Sequence, residues 1–373
     1  MKTARVLIDL RCLDTASATR GIGRYARELV KALRRSAPRG FDLAGLSWSG
    51  HGARLGIEDV VFPGPRRGIT LTDRYILPPL LRRKSIDLYH STAYALPSAG
   101  AGGAALVLTL HDLAVDLHPD AVKLGQRLAF RRTYRSARVA DRVVTISETT
   151  RKELLARYGV EPARVVSVLL GVTTGFDQRD AAGLPPSGFP RPYILYVGGL
   201  DRLKNVPFLL RVLERSRREE PGLHLVMAGE EGRRLRDFQD EARRIGQADR
   251  LITAGYLEDR RLAAAYREAA AFVFPSLYEG FGLPPLEAMA AGCPVVASGA
   301  GALREVLGEA ALIAAPDDAE AWAGAIRTVL RDREARERLV LAGRARSARF
   351  TWEQTARGTL EVYQDALLQR RAA

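Results

Sequence analysis

Short runs rich in Val, Ile and Leu recur along this chain, separated by longer segments whose apolar residues fall at helical spacing. Such runs lack the polar alternation of a half-exposed strand, so each must be covered on both faces. Parallel strands joined by crossover helices meet that demand. In the first half the runs lie at residues 6–9, 43–46, 88–90, 107–111, 143–147 and 165–170. In the second half they lie at 194–198, 224–229, 251–254, 272–275, 295–298 and 312–314. The expected fold class is α/β, with two Rossmann-like, doubly wound sheets in series. A length of 373 residues agrees, since it exceeds what one core usually serves.

Residues 171–192 break the pattern, because Pro185, Pro186, Gly188, Pro190 and Pro192 crowd a stretch with little periodicity. The expected organisation is a first domain over 1–172, a linker over 173–192, a second domain over 193–350 and a last helix over 351–373. Thr351 and Gln354 open that helix with capping-box spacing, and Leu360, Tyr363 and Leu367 line one side of it. It is expected to cross back to the first domain.

The formal net charge is +14, mostly from arginine. Excess positive charge points to an anionic partner, whether a phosphate, an acidic lipid surface or a nucleic acid. Arginine on solvated faces accounts for it as well. Arg82, Arg83 and Lys84 beside residues 77–81 offer one patch for peripheral contact with an anionic inner membrane, and a solvated helix end explains the same residues. Nucleic acid is not an expected partner, because no recognition motif or set of stacking aromatics accompanies the charge. Cys12 and Cys293 show no CxxC pairing and the histidines no zinc spacing, so neither a disulfide scaffold nor a metal site is expected. The N-terminus lacks the apolar core of a signal peptide, and no run is long enough to span a bilayer. A cytoplasmic location, with contact at the cytoplasmic membrane face, is the expectation.

Ligands of open α/β sheets bind beyond the carboxyl ends of the strands, and two such domains facing each other would make a cleft. The stretch LYEGFGLPPLEAMAAGCPVVAS, residues 277–298, begins at a strand end. It carries Glu279 in a loop and Glu287 in the first turn of a helix expected to start near Pro284 or Pro285. Gly280 and Gly282 allow close backbone approach to a ligand, and the N–H groups of a helix start favour a phosphate. An anion held by backbone, with hydroxyls held by carboxylates, describes a phosphorylated sugar. Taken alone, Glu287 is explained as well by the helix dipole.

The Glu-x7-Glu spacing inside PSLYEGFGLPPLEAMAAGCPVVAS resembles the signature of retaining, nucleotide-sugar-dependent glycosyltransferases of the GT-B fold, family 4. The resemblance continues through YVGGLDRLKNVPFLLRVL, LVMAGEEG, GYLEDRRLAAAYREAAAFVFPS and FTWEQTA, covering nearly the whole second half. It implies that Glu279 binds hydroxyls of the donor sugar and that Glu287 accepts hydrogen bonds from the nucleotide ribose. It further implies that the amides of Phe281, Gly282 and Leu283 meet the diphosphate and sugar, and that Lys204 neutralises the diphosphate leaving group. The segment Gly255, Tyr256 and Leu257 is implied to contact the base. One position departs from the family: Gly199 stands where an arginine often follows the strand glycine, and Arg202 either supplies that charge or lies on the surface.

In the first half, Gly21 and Gly23 of GIGRY open a helix after the first strand. Glycines there serve the turn alone, or, as the resemblance implies, lie against the donor diphosphate, with Arg24 beside them on the acceptor side. LVLTLHDLAV places His111 and Asp112 at a strand end and resembles the HDL segment of bacterial mannosyltransferases in the family. In those relatives the histidine lies near the donor sugar; a packing histidine is the plain alternative. Ser147 and His90 occupy two further strand ends and are held as acceptor-side candidates.

The resemblance thus implies transfer of a hexose, with mannose favoured, from a nucleoside diphosphate sugar to a saccharide or lipid-linked saccharide hydroxyl, in cell-surface polysaccharide synthesis. GDP-mannose is the favoured donor and UDP-sugars are the alternative, with no prosthetic group and no metal. Front-face departure and attack, in which a diphosphate oxygen takes the acceptor proton, is implied by the family. The rivals are a sugar-nucleotide epimerase or phosphorylase of the same fold, and a basic nucleic-acid-binding protein.

Overall fold

The computed structural model describes residues 3–36, 40–65, 73–97, 101–122, 124–173, 186–229 and 232–372. Its strands are β1 (Ala4–Asp9), β2 (Phe41–Ser47), β3 (Glu58–Val61), β4 (Leu88–Ser91), β5 (Ala105–Leu110), β6 (Arg142–Thr145), β7 (Val165–Ser167), β8 (Tyr193–Gly198), β9 (His224–Gly229), β10 (Leu251–Gly255), β11 (Ala271–Phe274), β12 (Val295–Ala297) and β13 (Leu312–Ile313). They form two sheets in the orders β3-β2-β1-β4-β5-β6-β7 and β10-β9-β8-β11-β12-β13. Neighbouring strands pair in parallel, as in β1 with β4 and β8 with β11. The chain divides into two compact units, an N-terminal one of residues 1–171 with 351–373 and a C-terminal one of residues 172–350.

The burial pattern explains the architecture. Every residue of β5 and of β11 is buried, which only helices on both faces of a sheet can achieve. In the C-terminal unit, Phe274 stacks between Tyr196 and Phe272, with ring centroids 6.3 and 5.8 Å apart respectively. Trp322, also buried in this unit, packs edge-on against Phe208, and its indole donates to the Ala315 carbonyl at 2.8 Å. In each sheet the chain builds outward on one side of the first strand and then returns to its other side. The order therefore reverses between β1 and β4, and again between β8 and β11. At such a reversal the two flanking loops diverge and leave a crevice at the strand ends.

Several expectations need adjusting. The strand β3 has no apolar run, since only Val60 of its four residues is buried. The strands β5 and β6 end before His111 and Ser147, which places both residues in the loops beyond the ladder. Of the expected linker, residues 174–185 lie outside the described residues. Residues 186–192 are tied to the C-terminal unit instead, where the Ser187 amide donates to Glu268 at 3.3 Å and Arg191 pairs with Glu268 at 2.8 Å. The patch at Arg82, Arg83 and Lys84 loses its apolar half: Leu77, Leu80 and Leu81 are buried in the core of the N-terminal unit. The last helix, Trp352–Ala372, packs within that unit, and Thr351 caps it by accepting from the Gln354 amide at 3.2 Å.

Candidate functional site

The loops flanking the reversal point of the C-terminal sheet hold the acids and the lysine singled out above. After β8 the chain makes one 3-10 turn, Arg202–Lys204, which ends at Asn205 in the left-handed region at φ 52°. The Asn205 amide group donates to the carbonyls of Pro275 at 3.2 Å and Pro316 at 2.8 Å, and the Leu277 amide donates to the Leu203 carbonyl at 2.7 Å. These bonds fix the loop after β8 to the loop after β11. As a result Lys204 Nζ lies 2.7 Å from Glu279 Oε1, and the Ser276 hydroxyl donates to the same oxygen at 2.6 Å. The ammonium also lies 5.6 Å from the centre of the Phe274 ring. Both charged groups are only partly buried, so the pair is accessible while being less screened than a surface pair.

The backbone of Glu279 is held as firmly as its side chain. Its carbonyl accepts from the Ala302 amide at 2.8 Å, and Gly301, at φ 58°, lies against the Glu279 main chain. A Cβ at position 301 would collide with the Glu279 carbonyl oxygen. Gly301→Ala is therefore expected to cost about 1–2 kcal/mol from the left-handed backbone alone and to displace Glu279. A variant that matches the wild type in unfolding midpoint and turnover would contradict this.

The helix of the motif spans Leu283–Ala290, starting ahead of both prolines because Gly282 takes φ 108° at its N-cap. A Cβ on Gly282 would come within 2.6 Å of Leu303. Glu287 consequently falls in the second turn, not the first. It is 2% exposed and accepts a hydrogen bond from the Tyr266 hydroxyl at 3.2 Å. Pro284 and Pro285 bring no amide to the helix start, so the donors there come from Leu283 and the residues before it. Gly280 is buried, and Phe281 packs edge-on against Phe350 with ring centres 5.8 Å apart. Arg202 is exposed on its turn. Gly255, at φ 62°, ends β10, the outermost strand; Tyr256 beyond it is 63% exposed and Leu257 is buried.

In the N-terminal unit, the helix Gly21–Ser36 starts close to the turn before it. A Cβ on Gly23 would strike the carbonyls of Ser17 and Ala18, whereas Gly21 has open space, so of the two only Gly23 is demanded by packing. Arg24 is half-buried. His111 Nε2 lies 2.8 Å from the Thr92 carbonyl, which can only accept, so that nitrogen carries the proton and Nδ1 presents a lone pair. Burial lowers the His111 pKa to about 4, and the imidazole is neutral at physiological pH. Asp112 accepts from the Ala114 amide at 2.9 Å. Ser147 is buried and caps the helix Glu148–Tyr158, while His90 is buried between two hydroxyls. Their side chains are engaged inside the unit, and the expectation of an acceptor-side role for them gives way. Arg11, fully buried, bridges Asp9 and Asp73 at 2.6 Å each and holds the segment after residue 72 to the end of β1.

Residues 186–346 match the family model described as Glycosyl transferases group 1, and residues 19–176 match the one described as Glycosyltransferase Family 4. The two matches fall in turn on the C-terminal and N-terminal sheets. The chain belongs to the family 4 glycosyltransferases. It is 29% identical to O-antigen chain mannosyltransferase B of Escherichia coli over 92% of this chain and 95% of that one. It is 32% identical to MMP alpha-(1->4)-mannosyltransferase of Mycolicibacterium hassiacum over 77% of this chain and 72% of that one. Among solved structures, sucrose-phosphate synthase from Thermosynechococcus elongatus superposes with a TM-score of 0.78 at 22% identity, covering 99% of this chain and 100% of that one. This glycosyltransferase thus has the GT-B fold, with a Rossmann-like sheet in each unit.

Four residues that hold the glycosyltransferase's candidate site were not expected from its sequence: Asn205, Ser276 and Gly301 around the Lys204–Glu279 pair, and Tyr266 on Glu287. Asn205, Ser276 and Tyr266 stand inside the quoted motifs, and the available signal was a short polar side chain next to Lys204 and another three residues before Glu279. Among the described residues, no group of three or more His, Cys, Asp or Glu side chains is arranged to hold a metal ion. Also among them, no helix is long and apolar enough to cross a membrane.

Proposed function

We propose that this glycosyltransferase transfers a hexose, with retention, from a nucleoside diphosphate sugar bound at the reversal point of the C-terminal sheet. The observation that carries this is the cluster of Lys204, Glu279 and Ser276 on two loops tied to each other. Without ligand the ammonium and carboxylate satisfy one another. With donor in place, Lys204 turns to the diphosphate and Glu279 accepts from sugar hydroxyls, assisted by the amides of Phe281, Gly282 and Leu283. Glu287 receives the ribose, and the turn at Gly255, Tyr256 and Leu257 receives the base. Arg202 adds positive charge on the same turn as Lys204, and Gly21 is the N-terminal unit's candidate for the donor diphosphate. His111 offers Nδ1 as acceptor to a sugar hydroxyl, with Asp112 and Arg24 beside the acceptor. Two relatives named as mannosyltransferases favour mannose as the hexose; GDP-mannose is the proposed donor and a UDP-sugar the alternative. No metal takes part, because Lys204 and backbone amides carry the charge of the leaving diphosphate.

The test is release of nucleoside diphosphate from a panel of nucleotide sugars, with and without saccharide and lipid-linked acceptors. Release that depends on acceptor, with the anomeric configuration of the product unchanged from the donor, supports retaining transfer. Release without acceptor, or epimerised donor, supports the rival chemistry instead.

For a lipid-linked acceptor, the helix Leu124–Ser136 is the proposed surface toward the membrane. Leu124 is 69% exposed and Leu128 61% exposed, one turn apart, and Arg132 and Arg135 continue the same stripe. Residues 124–139 contain five arginines and no carboxylate. An apolar pair followed by cations matches an anionic bilayer surface. The double variant Leu124→Asp with Leu128→Asp is expected to bind phosphatidylglycerol-containing vesicles about tenfold more weakly, the equivalent of roughly two CH₂ groups lost from the lipid. Unchanged sedimentation with vesicles would refute this contact.

A further inference from the structure

Beneath the N-terminal strand ends, a continuous hydrogen-bonded chain joins the last helix to the neighbourhood of His111. The Tyr363 hydroxyl, on the helix Trp352–Ala372, lies 2.7 Å from His90 Nδ1. His90 Nε2 lies 2.7 Å from the Thr109 hydroxyl, which lies 2.9 Å from the Tyr25 hydroxyl. The Tyr25 ring then stands edge-on to His111, with centroids 5.0 Å apart and planes at 84°. Tyr25, His90, Thr109 and Tyr363 are all buried. From the opposite side, the Thr92 hydroxyl donates to the Asp9 carbonyl at 2.5 Å, anchoring the residue whose own carbonyl accepts from His111.

We infer that Tyr363, His90, Thr109 and Tyr25 are positioning residues that fix the ring plane and tautomer of His111 from the C-terminal helix. Thr92 sets which nitrogen of His111 carries the proton; the Tyr25 edge sets the direction in which the other nitrogen points. Tyr25 keeps its place because its hydroxyl is held by Thr109, and Thr109 in turn by an imidazole that burial keeps neutral. A neutral His90 has one N–H for two hydroxyl neighbours, so each neighbour restricts the orientation of the next. Removing the Tyr363 hydroxyl frees His90 to reorient, and the disturbance passes along the chain to the ring that packs on His111. The consequence for turnover rests on the transferase assignment, whereas the orientation of His111 does not.

The test compares Tyr363→Phe, Tyr25→Phe and Leu360→Ala with the full-length wild type. Ring nitrogen signals of the histidines are followed by NMR, together with kcat, donor KM and the unfolding midpoint. Tyr363→Phe and Tyr25→Phe are each expected to shift the His111 signals and to lower kcat about three- to tenfold, with donor KM within about twofold. Leu360→Ala, buried in the same helix but outside the chain, is expected to lower the midpoint without moving the His111 signals. If both tyrosine variants lower the midpoint while His111 and kcat stay as in wild type, the chain is only structural and the inference falls. If the wild type transfers no sugar, the transferase assignment fails, and the His111 signals still decide the positioning role.

Discussion

Lys204→Ala is expected to lower kcat/KM by about 100- to 1000-fold, the usual loss when one preorganised donor to a developing anion is removed. The expectation follows from where charge appears. When the glycosidic bond of a nucleotide sugar breaks, the diphosphate gains negative charge, and Lys204 is the ammonium held beside Glu279 at the reversal point of the C-terminal sheet. Its position does not depend on its own flexible stem alone. Asn205, in the left-handed region, and the Leu203 carbonyl bind its turn to the loop after β11. Lys204→Arg keeps the charge but replaces a compact ammonium with a planar fork, so it is expected to recover only part of the loss. Steady-state kinetics with a fixed acceptor measure both effects. A Lys204→Ala enzyme within tenfold of wild type would remove this residue from leaving-group stabilisation.

The second large effect separates the two glutamates. Glu279→Ala is expected to reduce transfer by at least about 100-fold if the proposed donor binding holds, because each hydrogen bond from a sugar hydroxyl to a carboxylate contributes about 1.5–3 kcal/mol. Binding of free nucleoside diphosphate should change little, since that ligand lacks the sugar. Glu287→Ala is expected to weaken nucleoside diphosphate and donor alike, because the ribose is common to both. Its burial and its bond from Tyr266 add a cost in stability that Glu279→Ala does not share. Calorimetric binding of the diphosphate to both variants, with their unfolding midpoints, distinguishes these outcomes. Equal loss of stability, with binding equally weakened in the two, would mean that both acids serve the fold.

The central strands were legible because burial on both faces leaves near-continuous apolar runs, as in β5 and β11. β3 was not legible: an edge strand with a single buried residue carries no such run. The spacing of Glu279 and Glu287 placed one acid in a loop and one in a helix, and that division holds in the structure. The turn assignment of Glu287 failed because the cap is set by Gly282 and its positive φ, not by the prolines that follow. Gly301 was beyond reach for a different reason. Its need for glycine comes from the backbone of Glu279, distant in sequence, and contacts of that kind leave no periodic trace. The same holds for Arg11, whose partner Asp73 is brought to it only by the folded chain. The apolar half expected beside Arg82, Arg83 and Lys84 was not legible as core because Leu77, Leu80 and Leu81 read the same whether they face solvent, lipid or core; tertiary packing decides.

The most direct measurement is a calorimetric titration of the wild type and of Lys204→Ala with GDP-mannose, a UDP-sugar and the free diphosphates. Saturable binding of a nucleoside diphosphate sugar to the wild type, weakened at least tenfold by Lys204→Ala, is the predicted result. Failure of the wild type to bind any of them, or equal binding by the variant, would contradict a donor site built on Lys204 and Glu279.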